Sequence, residues 1–187
     1  MAQNTEYPTY MHNVGGKEPD GKPTRLGRWT FGTKMVRDVV LSHLCGDVLN
    51  ACAGKTKLAE YKRGVDITRN DMNPDIPADT HHDVQTLDEH YPAESFDVVV
   101  NDPPFDANRG EKLYEGFHAS GYIDAREALS SLVKRGGLYI ELGWNSWGLA
   151  GKDGWERVEH HLYRQPFKGD VHLVVEKRID QRSMSDY

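Results

Sequence analysis

An apolar, β-branched stretch that stops at two prolines constrains the fold of this chain more than any other feature. Residues 96–100 (Phe-Asp-Val-Val-Val) have the composition of a strand buried on both faces of a sheet. Asp102-Pro103-Pro104-Phe105 follows almost at once, and proline cannot donate to a sheet ladder. The sequence therefore predicts a buried strand that is followed directly by a carboxylate, rigid backbone carbonyls and an aromatic ring. These groups could bind a flat base that carries an amino group. The alternative is a strand terminator beside a surface aromatic residue.

Composition narrows the class of protein. The 187 residues, of which 37% are hydrophobic and 28% charged, suit one globular domain with a substantial core. No apolar run approaches the length of a membrane span and the first residues lack signal-peptide features, so we expect a cytoplasmic protein without membrane contact. The net charge of −6 disfavours unaided binding to duplex nucleic acid, because phosphate contacts usually require a basic surface. Cys45 and Cys52 lack zinc-site spacing, which predicts buried thiols and no metal site.

Glycine, proline and apolar periodicity divide the chain. Residues 1–28 predict an irregular N-terminal arm, residues 29–180 a single folded domain, and residues 181–187 a frayed tail. Within the domain, the patterns predict helices over residues 33–44 and 124–135, a strand running into a tight turn over residues 47–54, and strands over residues 63–67, 96–100 and 138–142. A further strand is expected to end at Asp83, and residues 157–163 and 170–177 are expected to form a hairpin. This alternation is typical of a doubly wound α/β sheet.

A loop of small residues, Ala51-Cys52-Ala53-Gly54, follows the first of these strands and lets a ligand approach the backbone closely. Gly54-Lys55-Thr56 does not complete a triphosphate-binding P-loop, because that motif needs a glycine where Leu49 stands. The adjacent histidines at residues 81–82 and 160–161 would point to opposite faces of a strand, so neither pair indicates a metal site.

Asp102-Pro103-Pro104-Phe105 resembles the Asp/Asn-Pro-Pro-aromatic motif of S-adenosylmethionine-dependent methyltransferases that modify exocyclic amino groups, DNA adenine methyltransferases in particular. Asn50 and the small-residue loop resemble the first cofactor motif of that family, although Asn50 replaces the usual acid and Thr56 a common glycine. The resemblance covers about residues 29–178 and implies a Rossmann-like class I methyltransferase fold. Such a fold has a seven-stranded, mostly parallel sheet with a C-terminal antiparallel hairpin.

The resemblance also implies a site for S-adenosyl-L-methionine. Asp66 would end the second strand and accept the ribose hydroxyls, Ile67 would pack on the adenine, and Asp83-Val84 would recognise the adenine edge. The residues assigned to the cofactor in this way are Phe31, Thr33, Asn50, Ala51, Cys52, Ala53, Gly54, Asp66, Ile67, Asp83, Val84 and Asn101. For Phe31 and Thr33 the alternative is a hydrophobic anchor and a helix cap, and for Asp66 an acid that caps a turn.

For the substrate, the resemblance assigns catalysis to Asp102, Pro103, Pro104 and Phe105. The carboxylate and the Pro103 carbonyl would accept the amino hydrogens while the Phe105 ring stacks on the base. Residues that follow the strand ends supply further candidates for substrate binding, namely Asn108, Arg109, Lys112, Trp144 and Trp147. The alternative for Asn108, Arg109 and Lys112 is an ordinary solvated loop, and the alternative for Trp144 and Trp147 is a structural lid.

The expected reaction is direct methyl transfer to a flipped-out base, with adenine in DNA placed first. A guanine 2-amino methyltransferase of ribosomal RNA is the alternative, and a non-catalytic cofactor-binding subunit is the alternative of another class. No separate target-recognition region stands between Asp83 and Asp102 or after the hairpin. Recognition is therefore expected from short loops, the N-terminal arm, a specificity subunit or a second copy of the chain in a homodimer.

Overall fold

A computed structural model describes residues 6–14, 16–17, 23–24, 26, 30–55, 58–103, 122–165 and 169–179. Its strands are β1 (Thr9–Asn13), β2 (Gly16–Lys17), β3 (Pro23–Thr24), β4 (Asp47–Asn50), β5 (Asp66–Arg69), β6 (Phe96–Asn101), β7 (Val133–Gly143), β8 (Trp155–Arg164) and β9 (Val171–Arg178). Its α-helices are α1 (Lys34–His43) and α2 (Tyr122–Leu132), with 3-10 helices at Thr30–Gly32, Leu58–Glu60 and Val84–Glu89.

Seven of these strands form one sheet in the order β1-β8-β9-β7-β6-β4-β5. β9 runs antiparallel to both of its neighbours, β7 and β8, and the remaining neighbours in the sheet pair in parallel. The predicted mostly parallel sheet with a C-terminal antiparallel hairpin is therefore confirmed. β2 and β3 form a separate two-stranded ribbon.

β6 is the central strand that the sequence predicted. Val98 and Val100 pack into the core on the side of α1, whereas Val99 packs on the opposite side with α2. All three side chains are 0% exposed. Burying a valine contributes roughly 1.5–3 kcal/mol each, so the run explains why this stretch lies in the middle of the sheet and not at an edge.

The N-terminal arm is not irregular throughout. β1 pairs in parallel with β8 at the edge of the sheet, and Val14 beyond it is buried in the core. The strand expected to end at Asp83 is absent from the described residues around it, where only an isolated bridge joins Asn70 to Thr80. The sheet thus reaches seven strands with β1, because the backbone of β8 offers a pairing edge that the local sequence of the arm does not reveal.

The end of α2 also differs from the prediction. The helix stops at Leu132, and Lys134, placed by the sequence in its last turn, lies in β7. Its amine contacts the carboxylates of Asp97 at 2.9 Å and Asp47 at 2.8 Å. Val133 pairs with Phe96 in the sheet, so tertiary pairing and these ion pairs outweigh local helix propensity.

β5 begins at Asp66, whereas the sequence predicted a strand that ends there. Asp66 pairs with Asp47 at the start of β4, and its amide donates to Gly46 O at 3.1 Å. Asp66 therefore lies at the amino edge of the parallel strands. Ile67 pairs with Val48 and packs against the core beside α1. The predicted bounds of the strand are therefore wrong, because β5 begins three residues later and ends two residues later than expected. The assignment of Asp66 and Ile67 to a cofactor stays a prediction.

The strand order reverses between β4 and β6. From β4 the chain continues outward to β5 on one side and then returns to β6 and β7 on the other. Ligands of open α/β sheets bind in the crevice at such a switch point, beyond the carboxyl ends of the strands. This crevice lies beside Asn50, at the end of β4, and Asn101, at the end of β6. No helix among the described residues is long and apolar enough to cross a membrane.

Candidate active site

Asn50 contributes two buried polar atoms to the switch-point crevice. The residue is 0% exposed, and neither Oδ1 nor Nδ2 has a hydrogen-bond partner among the described residues. Its backbone is secured in the sheet, since Asn70 N donates to Asn50 O at 2.9 Å. An unpaired buried polar group costs roughly 1–3 kcal/mol, so this amide suits a ligand that brings both an acceptor and a donor.

Asp102 directly follows the neighbouring strand β6, two residues beyond Val100, which pairs with Asn50. The residue is partly exposed, but its Oδ1 is buried and has no hydrogen-bond partner in the described part of the chain. Burial raises the pKa of Asp102 from 3.8 to about 7, against a hydrogen bond with the Thr30 side chain that lowers it. The carboxyl group therefore changes charge near neutral pH and keeps one oxygen for a partner outside the described protein atoms.

The charges of three carboxylates act on the Cys52 thiol. Burial raises the pKa of this thiol well above its ordinary value, and the charges of Asp71, Asp102 and Asp83 raise it further. The thiol is consequently protonated and inert as a nucleophile. The three acids, which follow β5, β6 and the bridge at Thr80, give the crevice a negative character that favours a cationic ligand.

Asp71 is the acid that follows the carboxyl end of β5. Its Oδ2 accepts from Gly54 N at 2.8 Å, and its Oδ1 accepts from Asn73 N at 3.0 Å. Arg69 secures the same loop, because its Nη2 donates to Gly54 O at 2.9 Å. Asp71 thus has the position that the sequence assigned to Asp66.

Asn70 joins the loops around this edge. Its Nδ2 donates to Ala51 O and His82 O, each at 3.0 Å, and its Oδ1 accepts from His82 N at 2.9 Å. Ala53 N in turn donates to Asn70 O at 2.8 Å. These bonds hold Ala51, Cys52, Ala53 and Gly54 in the loop that follows β4, and their assignment to the cofactor stays a prediction.

Other residues assigned to the cofactor have structural contacts. Phe31 is 2% exposed and packs in the core beside α1, which is the hydrophobic-anchor alternative. Thr33 occupies the N-cap position of α1 but makes no side-chain capping bond there. Asp83 caps the 3-10 helix Val84–Glu89 by accepting from Gln85 N at 3.0 Å, and Val84 packs against the core beside α2. The assignment of these four residues to the cofactor stays a prediction.

Asn101 is buried and bonded within the protein. Its Nδ2 donates to the Tyr139 hydroxyl at 3.1 Å, and its Oδ1 accepts from Cys52 Sγ at 3.7 Å. Both polar atoms of the amide therefore have protein partners, and these bonds support the end of β6. Its assignment to the cofactor remains a prediction.

The loop after β7 carries two exposed indoles on the same edge as Asp102. Trp144 is 42% exposed and Trp147 71% exposed. Buried Glu176 holds the far side of this loop by accepting from Ala150 N at 3.0 Å and from Leu149 N. Arg157, which pairs with Glu176, also donates to Trp147 O at 2.9 Å. The Trp147 indole is thus presented to solvent from an anchored backbone.

Several predicted site residues lie outside the described residues, namely Pro104, Phe105, Asn108, Arg109 and Lys112. Pro103 is described and buried. Among the described residues, no group of three or more His, Cys, Asp or Glu side chains is arranged to hold a metal ion.

The sequence missed Arg69, Asn70 and Asp71. The β-branched pair Ile67-Thr68 and the turn-forming pair Asn70-Asp71 could have indicated a strand over residues 66–69 followed by a polar turn. Gly64 favours a turn close before this strand, so the predicted strand began too early in the chain.

Known structures share this architecture. The 1,6-didemethyltoxoflavin-N1-methyltransferase of Burkholderia thailandensis, solved with 1,6-didemethyltoxoflavin and S-adenosylhomocysteine, superposes with a TM-score of 0.57 at 15% identity over 77% of each chain. TrmN of Thermus thermophilus has a TM-score of 0.57 at 14% identity, covering 82% of this chain and 50% of its own. An rRNA methylase of Streptococcus thermophilus has a TM-score of 0.50 at 12% identity, covering 78% and 95%.

The likeness establishes a Rossmann-like class I methyltransferase fold for this chain. It is a likeness of structure without a detectable likeness of sequence. No protein-family profile matches the chain, and no curated protein sequence matches it.

Proposed function

We propose that this chain is an S-adenosyl-L-methionine-dependent methyltransferase that acts on an exocyclic amino group of a nucleic-acid base, with adenine in DNA as the first candidate. One observation carries the proposal. The buried, unpaired polar atoms of Asn50, at the end of β4, and of Asp102, directly after β6, lie at the switch point of a class I methyltransferase fold. Unsatisfied buried groups of this kind are rare in native proteins and cluster where ligands bind.

The residues at the crevice fit the cofactor. The Asn50 amide would bind its amino-acid end, the loop of residues 51–54 would lie along it, and Asp71 would accept its ribose hydroxyls. The carboxylates of Asp71, Asp83 and Asp102 suit its positive charge. When bound, S-adenosyl-L-methionine supplies a methyl group on a sulfonium. The Burkholderia neighbour, whose structure holds S-adenosylhomocysteine, supports this choice through its fold.

Asp102 and Pro103 would hold the amino group that accepts the methyl. The Asp102 Oδ1 atom and the Pro103 carbonyl are both acceptors, so each can take one amino hydrogen and orient the nitrogen lone pair. Phe105 would stack on the base, as the motif implies. The residues need only position the substrate and stabilise charge, which is sufficient for a displacement from an activated methyl donor.

DNA is placed first because residues 29–33, ahead of the first strand, resemble the corresponding segment of DNA adenine methyltransferases. Asp-Pro-Pro-Phe itself also resembles the motif of guanine 2-amino methyltransferases of ribosomal RNA. Trp147, exposed in the loop after β7, suits stacking on an unpaired base. RNA guanine is the second candidate, because the structural neighbours include an rRNA methylase. The net charge of −6 favours a partner that supplies duplex binding, either a specificity subunit or a second copy of this chain.

One experiment tests both the binding of the cofactor and the transfer of its methyl group. The purified protein is titrated with S-adenosyl-L-methionine by calorimetry and then incubated with cofactor and either DNA or ribosomal RNA, followed by mass spectrometry of the nucleosides. We expect binding, and methylated adenine from DNA. Asp102→Ala should bind cofactor within about twofold of the wild type and lose methyl transfer by at least about 100-fold.

The outcomes separate the candidates. Methylated guanine from RNA alone would replace DNA with RNA as the substrate. Binding without transfer to either polymer would favour the non-catalytic subunit. A protein that does not bind the cofactor would overturn the proposal as a whole.

A further inference from the structure

A buried chain of hydrogen bonds leads from the end of β6 into the protein behind Asp102. Asn101 donates to the Tyr139 hydroxyl at 3.1 Å, and this hydroxyl donates to Glu141 Oε2 at 2.6 Å. Arg126 Nε donates to the same Oε2 at 2.9 Å. Cys52 joins at the other end through Asn101 Oδ1. We call these five residues the Asn101 network.

The network connects four of the elements around the crevice. Cys52 belongs to the loop after β4, Asn101 to β6, Tyr139 and Glu141 to β7, and Arg126 to α2. Asn101 is 1% exposed, Tyr139 0% and Glu141 4%. Because these groups are shielded from water and mutually bonded, they confine the end of β6 more strongly than the sheet ladder alone.

The directions of the side chains relate this network to Asp102. Asn101 reaches Tyr139, which lies in the core on the α2 side of the sheet. Asp102 contacts Thr30, which lies on the other side just before α1. Successive residues of an extended chain point to opposite faces, so fixing Asn101 against Tyr139 directs Asp102 toward Thr30 and the crevice.

We propose that Tyr139 and Asn101 are positioning residues, which set the placement of the Asp102 carboxyl group from the opposite face of the sheet. This inference rests on the proposed function for its effect on catalysis. It also predicts how the titration of the Asp102 carboxyl group responds to substitution, and this titration can be measured without methyl transfer.

Tyr139→Phe is the informative variant, because it removes only the hydroxyl that joins Asn101 to Glu141. Glu141 keeps its Arg126 partner, so no buried charge is left alone. Tyr163→Phe is the matched control. Tyr163 is also 0% exposed, in the neighbouring hairpin, but its hydroxyl has no hydrogen-bond partner among the described residues.

The first readout is steady-state methyl transfer. We expect Tyr139→Phe to lower kcat by about 10- to 100-fold, since small misplacements of a positioning group have effects of that size. KM for the nucleic acid and the Kd of the cofactor should stay within about twofold of the wild type. Asn101→Ala should act in the same direction, and the double variant should be no worse than the single ones. Tyr163→Phe should match the wild type.

The second readout is the pH titration of the Asp102 carboxyl carbon by NMR in the cofactor-free protein, with melting temperatures recorded for each variant. In the wild type and in Tyr163→Phe the group should titrate near pH 7. In Tyr139→Phe it should titrate at lower pH, because a less constrained strand end lets water reach the carboxyl group.

The two hypotheses fail separately. If the wild type transfers no methyl group but Tyr139→Phe shifts the Asp102 titration, the proposed function fails and the positioning role stands. If Tyr139→Phe titrates like Tyr163→Phe, the positioning role is wrong, whether or not the protein is active. An active wild type whose kcat survives Tyr139→Phe unchanged would overturn it as well.

Discussion

At the scale of single residues, the crevice combines groups that a stable fold would avoid. Asn50 keeps two buried amide atoms unpaired, and Asp102 keeps a carboxyl oxygen buried and unpaired among the described residues. Tyr163 shows that an unpaired buried hydroxyl also occurs away from the crevice, so such an atom alone does not mark a site. The crevice differs in that Asn50, at the end of β4, and Asp102, directly after β6, both carry such atoms at the switch point.

The raised pKa of Asp102 predicts how activity and stability vary with pH. The ionised Asp102 carboxylate accepts an amino hydrogen as a charged partner, whereas protonation places a donor on the carboxyl group, so kcat/KM should fall about tenfold per pH unit below pH 7. Asp102→Asn should retain reduced transfer with a flat profile, because an amide oxygen accepts a hydrogen bond and does not titrate near neutrality. Transfer assays from pH 5.5 to 8.5 measure both profiles.

Because of the Asp102 carboxyl group, the wild-type protein should also become less stable as the pH rises. The folded pKa, about 7, lies above the ordinary value of 3.8, so between these pH values the folded state holds a proton that the unfolded state has released. The free energy of unfolding therefore falls as the pH rises through this window. Denaturant titrations at pH 5 and pH 8 should show this fall in the wild type and a smaller one in Asp102→Asn. Equal pH dependence in both proteins would contradict the assigned cause.

At the scale of elements, the register of β5 decides which acid belongs to the site. Asp66 and Asp71 lie at opposite ends of the strand, one beside Gly46 at the amino edge and the other beside Gly54 at the crevice. Parallel strands present their carboxyl ends at one edge, so Asp71 lies at the edge of the switch point and Asp66 at the opposite edge.

Substitution of the two acids tests this register. Asp71→Asn should weaken the binding of S-adenosyl-L-methionine by at least about tenfold, corresponding to about 1.4 kcal/mol. Asp66→Asn is the matched control and should leave the Kd within about twofold of the wild type. Calorimetry measures both affinities, and melting curves establish that each variant is folded. Weaker binding in Asp66→Asn than in Asp71→Asn would refute the assignment.

At the scale of the whole molecule, the N-terminal segment completes the sheet on the side away from the crevice. β1 covers the edge of β8 by parallel pairing, and His12 Nε2 lies 2.9 Å from His161 Nδ1. Val14 N donates to Arg164 O at 2.8 Å. An uncovered edge strand is a template for association between molecules, so β1 has a protective role as well as a structural one.

Removal of residues 1–13 should lower the melting temperature by several degrees and promote association at high protein concentration, because β8 becomes the edge strand. Cofactor affinity of the folded protein should stay within about twofold of the full chain, since β8, β9 and β7 separate β1 from β6. Met11→Lys, at a side chain 71% exposed, is the control and should leave the melting temperature within about 1 °C. Scanning calorimetry and light scattering measure these effects. An unchanged melting temperature after truncation would contradict the role of β1.

By itself, the sequence determined the features that depend on neighbouring residues. The apolar run of β6 required burial on both faces, its prolines ended the strand beside Asp102, and small residues after Asn50 predicted the loop at the crevice. Tertiary structure decided which strands pair and in which register. Helix propensity could not anticipate that α2 ends at Leu132, where pairing with Phe96 begins. Nor could local pattern distinguish Asp66 from Asp71, because the edge at which an acid lies depends on contacts between segments distant in the chain.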